Sequence, residues 1–146
     1  MPRFEKHRLG QTLFLLQQDF QRRLDSDLAG RGFDGIRSRH RVVFMHLARH
    51  GASGSVDLAA AAGVRAQSMM KIVHELEALG LVTRREDPED SRAKLIEFTP
   101  RGQDQIEVLT RATETVWAQY EALLGKRELD ATFSALAKLL ARSQDT

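Results

Sequence analysis

Apolar residues recur along this chain at helical spacings, broken by glycine-rich turns and by one stretch that reads as strands. Leu9, Leu13, Leu16, Phe20 and Leu24 lie four, three, four and four apart, one stripe of a 3.6-residue period, and predict a helix over residues 5–28. The run Ala29-Gly30-Arg31-Gly32-Phe33-Asp34-Gly35 breaks it. Ser38 reads as the N-cap of a second helix to about His50, with Val43, Phe44, Leu47 and Ala48 as its inner face. After Gly51-Ala52-Ser53-Gly54, Ser55 reads as the cap of a short third helix, Val56 to Ala62, and Gly63 supplies the next turn. Residues 65–79 then carry Met69, Ile72, Val73, Leu76 and Leu79 on one stripe, leaving Arg65, Gln67, Ser68 and Lys71 outward. Met69 points inward on this reading and Met70 lies at the flank. Leu81–Glu86 and Lys94–Phe98 are short and rich in β-formers, a hairpin with a polar tip at residues 87–93. Thr99 caps and Pro100 opens a long helix to about Leu124, through Ile106, Leu109, Val116, Tyr120 and Leu123. A last helix, Glu128 to about Arg142, carries Leu129, Phe133, Leu136 and Leu140.

The order of these elements implies a mainly α fold, an α+β winged helix-turn-helix, with helices flanking it on both sides. The third and fourth helices, turned at Gly63, form the helix-turn-helix pair. A helix that reads a DNA groove needs apolar residues on its back and short polar or cationic ones near its N-terminus. The helix over 65–79 has that asymmetry, and the hairpin directly after it is a wing. The winged part spans residues 36–102, and residues 1–35 and 103–146 form the helical remainder.

Charge sharpens this division. Residues 36–102 hold eleven Lys/Arg against eight Asp/Glu, whereas residues 103–146 hold five against seven. The middle is the basic part, which suits a polyanionic partner. At 146 residues the chain is long enough for one domain with a real core. No apolar run nears the roughly 20 residues of a membrane span, and no apolar signal core follows Met1-Pro2-Arg3-Phe4-Glu5-Lys6, so a cytoplasmic protein is expected. The absence of cysteine excludes disulfides, thiolate metal ligands, a cysteine nucleophile and thiol redox sensing.

Four segments fall in an order and spacing that resembles the MarR (multiple antibiotic resistance regulator) family. They are Leu58-Ala59 with Gly63-Val64; Leu76-Glu77 with Leu79-Gly80-Leu81-Val82; Asp87-Pro88-Glu89-Asp90-Ser91-Arg92-Ala93-Lys94; and Phe98-Thr99-Pro100-Arg101-Gly102. The resemblance extends over nearly the whole chain, as a single MarR-type domain. It implies a homodimeric, ligand-responsive transcriptional regulator of double-stranded DNA, with a small-molecule effector and a dimer interface built from the first and last two helices. It also implies roles for residues: Gln67, Ser68 and Lys71 facing the major groove, Arg92 entering the minor groove, Asp90 bracing the wing and Lys94 meeting phosphate. Two positions depart from the family pattern. Arg65 stands where a serine-like cap is usual, trading capping for a phosphate contact or for a looser helix start, and Ser91 replaces a commonly basic residue beside the wing arginine.

Plainer readings stand beside these. Arg92 can instead be neutralised by Asp87, Glu89 or Asp90, and Arg65 and Lys71 can be solvated helix charges. Arg37, Arg39 and Arg41 either meet DNA backbone or lie on a solvated face. His46 and His50 have the i, i+4 spacing of a chelate but no further ligands in the sequence, and read as surface or packing residues. His7, His40 and His74 have no companion nearby. Trp117 and Tyr120 read as packing residues. No cofactor is implied, and without a nucleophile–base pair, a phosphate-cradling glycine loop or a spaced acid pair an enzyme is not expected. The alternative to a DNA-binding regulator is a winged-helix adaptor that binds another protein.

Overall fold

A computed structural model describes residues 5–33 and 36–144. The expected break at residues 29–35 is seen as far as Phe33; Asp34 and Gly35 lie outside the described residues, as do the first four residues of the chain. After a 3-10 turn at Lys6–Arg8 come α1 (Leu9–Gly30), α2 (Ser38–His50), β1 (Ser53–Gly54), α3 (Ser55–Ala62), α4 (Ala66–Ala78), β2 (Val82–Glu86), β3 (Lys94–Phe98), α5 (Pro100–Leu124) and α6 (Lys126–Gln144). The chain divides into two compact units. One is Ala29–Thr110; the other joins the residues up to Leu28 to those from Arg111 on.

The Ala29–Thr110 unit is built around a small antiparallel sheet ordered β1-β3-β2. Val82 faces Phe98 and Glu86 faces Lys94 across the hairpin, while Ser53 and Gly54 add a two-residue edge opposite Ile96 and Leu95. That edge was not expected, because two residues carry no alternating pattern. Phe44 from α2, Leu58 from α3, Met69, Val73 and Leu76 from α4, and Ile96 from β3 are almost wholly buried. Phe44 meets Phe98 with ring centroids 5.3 Å apart.

Two glycines are required by the backbone. Gly63 ends α3 at φ 66°, a left-handed conformation that glycine adopts without penalty, and its N–H and that of Val64 close the helix onto Ala60 and Ala59. Gly102 is needed for closeness: a Cβ there would fall inside van der Waals contact of the Leu81 carbonyl oxygen, beside the Phe98 ring. That carbonyl already accepts the Thr99 N–H at 3.0 Å. The Thr99 hydroxyl donates to the Gly80 carbonyl and accepts the Gly102 N–H, the capping role expected of it.

Several local expectations are corrected. Ser38 and Ser55 are the first residues of their helices; the caps are Arg37 and Gly54. In α2 the Arg37 N–H donates to Nδ1 of His40 at 2.8 Å, so the ring three residues on takes the reach-back role of a capping box in place of a glutamate or glutamine. Ala48 is exposed, because the inner face runs through His40, Val43, Phe44 and Leu47 and the next residue rotates about 100° away. α1 continues through Gly30, α4 spans Ala66–Ala78 and α6 starts earlier, at Lys126.

The second unit is wholly helical. Asp19 ties α1 to α5: its Oδ2 accepts from Arg23 Nε at 2.7 Å and from the Tyr120 hydroxyl at 2.9 Å, and its Oδ1 from Arg22 at 2.7 Å. Chiefly through Arg23, this lowers the Asp19 carboxyl from 3.8 to about 2. Trp117 of α5 meets Phe133 of α6 edge-on at 5.4 Å. Leu24, Leu28, Ala112, Val116 and Leu129 are buried. By contrast Leu9, Leu13 and Leu16 on α1 and Phe133, Leu136 and Leu140 on α6 are exposed.

Candidate nucleic-acid interface

The outer face of α4 is polar at its start and cationic one turn on. Arg65, Gln67, Ser68 and Lys71 are all exposed there, and Met69 is buried on the back with Met70 at the flank, as the helical period predicts. Arg65 has extended backbone and gives no side-chain cap, and no acidic residue lies in the first turn. The N–H groups opening α4 are therefore left for an anion or water. Gln67, Met70, Lys71, His74 and Glu75 line an open groove along this face.

The wing tip is braced by its own acids. The Asp87 carboxylate accepts the Glu89 N–H at 2.9 Å, and Asp90 Oδ1 accepts the Arg92 backbone N–H at 3.0 Å. Both bonds order backbone and leave the Arg92 guanidinium alone. That side chain is exposed and takes no carboxylate partner among the described residues. Lys94 has a loose neighbour in Glu86 at 3.6 Å. Lower in the wing Arg85 pairs with Glu97 at 2.9 Å, and Arg84 joins Glu77 of α4 at 3.0 Å, fixing the base of the hairpin to the helix.

One cluster escaped the sequence reading. His40, expected to stand alone, is 1% exposed and places Nε2 2.6 Å from Oε2 of Glu75 on α4. Arg39 Nε donates to the same oxygen at 3.0 Å. The two lower the Glu75 carboxyl below its ordinary value, Arg39 the more strongly. A signal for this was present: Val43, Phe44 and Leu47 follow His40 at three, four and seven residues, which puts the imidazole on the core stripe of α2. His46 and His50 face one another at 4.5 Å between ring centroids, and no group of three potential metal ligands occurs among the described residues.

A sequence model of the MarR family matches residues 34–93, the segment from the approach to α2 through the wing tip. Over that segment the chain is similar to the MarR family. The mainly helical winged fold agrees with that likeness. Several solved structures share its fold. A probable transcriptional regulator from Pseudomonas aeruginosa is 26% identical with a TM-score of 0.67, covering 86% of this chain and 94% of that one. Escherichia coli MarR in its apo form is 20% identical with a TM-score of 0.74, over 90% and 96%. NadR in complex with 4-hydroxyphenylacetate is 24% identical with a TM-score of 0.72, over 95% and 97%. No curated protein matches the chain in sequence. Among the described residues no helix is long and apolar enough to cross a membrane.

Proposed function

We propose that this chain is a homodimeric, sequence-specific repressor that reads a two-fold-related operator and is released by a small molecule. In this reading α4 enters the major groove. Gln67 and Ser68 meet base edges, and Arg65 and Lys71 meet phosphate. The wing inserts Arg92 into the adjacent minor groove, where a narrow A·T-rich stretch concentrates negative potential. Asp90 braces the wing and Lys94 adds a phosphate contact. The observation that carries the reading is the wing tip, where an exposed arginine without a carboxylate partner rides on a loop ordered by Asp87 and Asp90.

The exposed leucines of α1 and α6 support assembly into a dimer, in which residues 1–35 and 103–146 supply the interface and residues 36–102 the DNA-binding part. Two recognition helices about 34 Å apart would reach successive major grooves, and an effector that favours another spacing would lower DNA affinity. NadR's capture of 4-hydroxyphenylacetate makes a small organic effector a reasonable class to screen.

The test is recovery of bound fragments from genomic DNA, then titration of the recovered duplex at several salt concentrations. Tight binding with a steep fall of log K against log salt, and strong preference over scrambled duplex, is the expected result. Weak binding without sequence preference would overturn the reading in favour of a protein-binding adaptor.

A further inference from the structure

We propose that Arg39 is a phosphate contact of this DNA interface, positioned by Glu75 and, through Glu75, by His40; the proposal rests on α4 being the DNA-reading helix. Arg39 is one of three arginines around the start of α2, and only geometry separates it from the others. Arg37 contributes its backbone N–H to His40 Nδ1, and Arg41 is half-buried. Arg39 instead has a side chain 53% exposed and is drawn across to the recognition helix by the 3.0 Å bond from its Nε to Glu75 Oε2.

Three features make this a built arrangement. Glu75 lies one turn beyond Lys71 and lines the same groove as Gln67, Lys71 and His74, so the guanidinium it holds is delivered to the edge of the surface that would face DNA. Glu75 is itself fixed from behind, because the buried His40 ring has one nitrogen on the Arg37 N–H and the other on the Glu75 carboxylate. With Nδ1 accepting, the proton sits on Nε2 and is donated to Glu75, so the ring has one orientation and one tautomer. Lastly, only Nε of Arg39 is used. Its two terminal nitrogens take no partner among the described residues and form the fork that suits a phosphate. A lysine at this position has its donors on one nitrogen and lacks the rigid fork that offers a carboxylate one edge and a phosphate another.

Titrations of the full-length chain with its recovered duplex, and with a scrambled one, test this at several salt concentrations. Arg39→Ala should bind both duplexes about tenfold more weakly and lower the salt slope by about 0.9 for each phosphate it no longer neutralises. Arg39→Lys should keep most of the slope, since the charge remains, yet bind several-fold more weakly. Glu75→Ala should weaken binding with little change in slope, and Arg39→Ala added to it should cost little more. Glu75→Gln, which retains an oxygen for His40 and Arg39, should return to within about twofold of the parent. Parent-like affinity and slope in Arg39→Ala would overturn the proposal, as would tighter binding by both Glu75 variants, the mark of a carboxylate that merely neutralises the arginine. If Glu75→Ala does not fold, the comparison of Arg39→Ala with Arg39→Lys decides. A parent chain that binds no duplex with a steep salt slope would instead defeat the DNA-binding reading itself, and this proposal with it.

Discussion

Arg92 and Gln67 would contribute to DNA binding by different physics, and two substitutions separate them. Arg92 lies on an exposed tip whose order comes from Asp87 and Asp90, so Arg92→Ala should leave the melting temperature unchanged. It should cost about 1–3 kcal/mol of specific binding, lower the salt slope by about one unit and weaken A·T preference beside the half-sites. Gln67→Ala should relax preference at one major-groove position with the slope unchanged, because glutamine displaces no counterion. An Arg92→Ala protein that binds like its parent would mean the arginine is neutralised within the wing in solution. Gly102 sets the opposite case, with no part in DNA contact and a large part in stability. Its Cβ would collide with a carbonyl that is already hydrogen-bonded, so Gly102→Ala should destabilise the fold by about 2 kcal/mol or more in denaturant titration.

Among the elements, those with long periods were the legible ones. Met69, Ile72, Val73 and Leu76 specify α4 and its buried face, and the strand Lys94–Phe98 falls where its β-formers put it. Helix starts were less legible, because a serine hydroxyl is only one way to satisfy the first N–H groups. At α2 the His40 ring takes that role, and at α3 the preceding residue, Gly54, is engaged in the sheet edge. Spacing puts His40 on the core stripe of α2 but could not pair it with Glu75, because the members of the Arg39–His40–Glu75 cluster come from two helices some 35 residues apart in sequence. The tie between α1 and α5 was equally non-local, and it titrates. Since the folded Asp19 carboxyl is depressed from 3.8 to about 2, its contribution to stability is complete above about pH 4 and disappears as the pH falls through 2. Asp19→Asn should therefore melt lower than the parent at pH 6, and its midpoint should fall less between pH 4 and pH 2, as followed by circular dichroism.

At the scale of the whole molecule, the exposed leucines of α1 and α6 call for a partner surface. A second copy that interleaves these helices would bury about 2,000 Å² or more, and dilution should then yield unfolded chain with no stable folded monomer. Sedimentation at nanomolar concentration reads this directly, and Leu136→Glu with Leu140→Glu should abolish assembly. Zinc should be without effect. Two imidazoles at 4.5 Å with no third ligand among the described residues make a weak chelate, so micromolar zinc should shift neither the melting temperature nor DNA affinity.

The composition of the helical unit also bears on how the chain is made. Its first part, up to Leu28, emerges from the ribosome well before its second part, from Arg111 on, because Ala29–Thr110 is synthesised between them. Translation proceeds at roughly 5–20 residues per second, so α1 waits several seconds or more for Tyr120 of α5, which Asp19 binds. The winged unit is contiguous in sequence and is free to fold during that interval, which fixes the two ends of an otherwise long loop and lowers the entropy of closing it. Throughout the wait Leu13, Phe14, Leu15 and Leu16 remain a bare apolar run, the kind of segment that a nascent-chain chaperone holds. Assembly of the helical unit is thus timed by the translation of α5 and the helix after it.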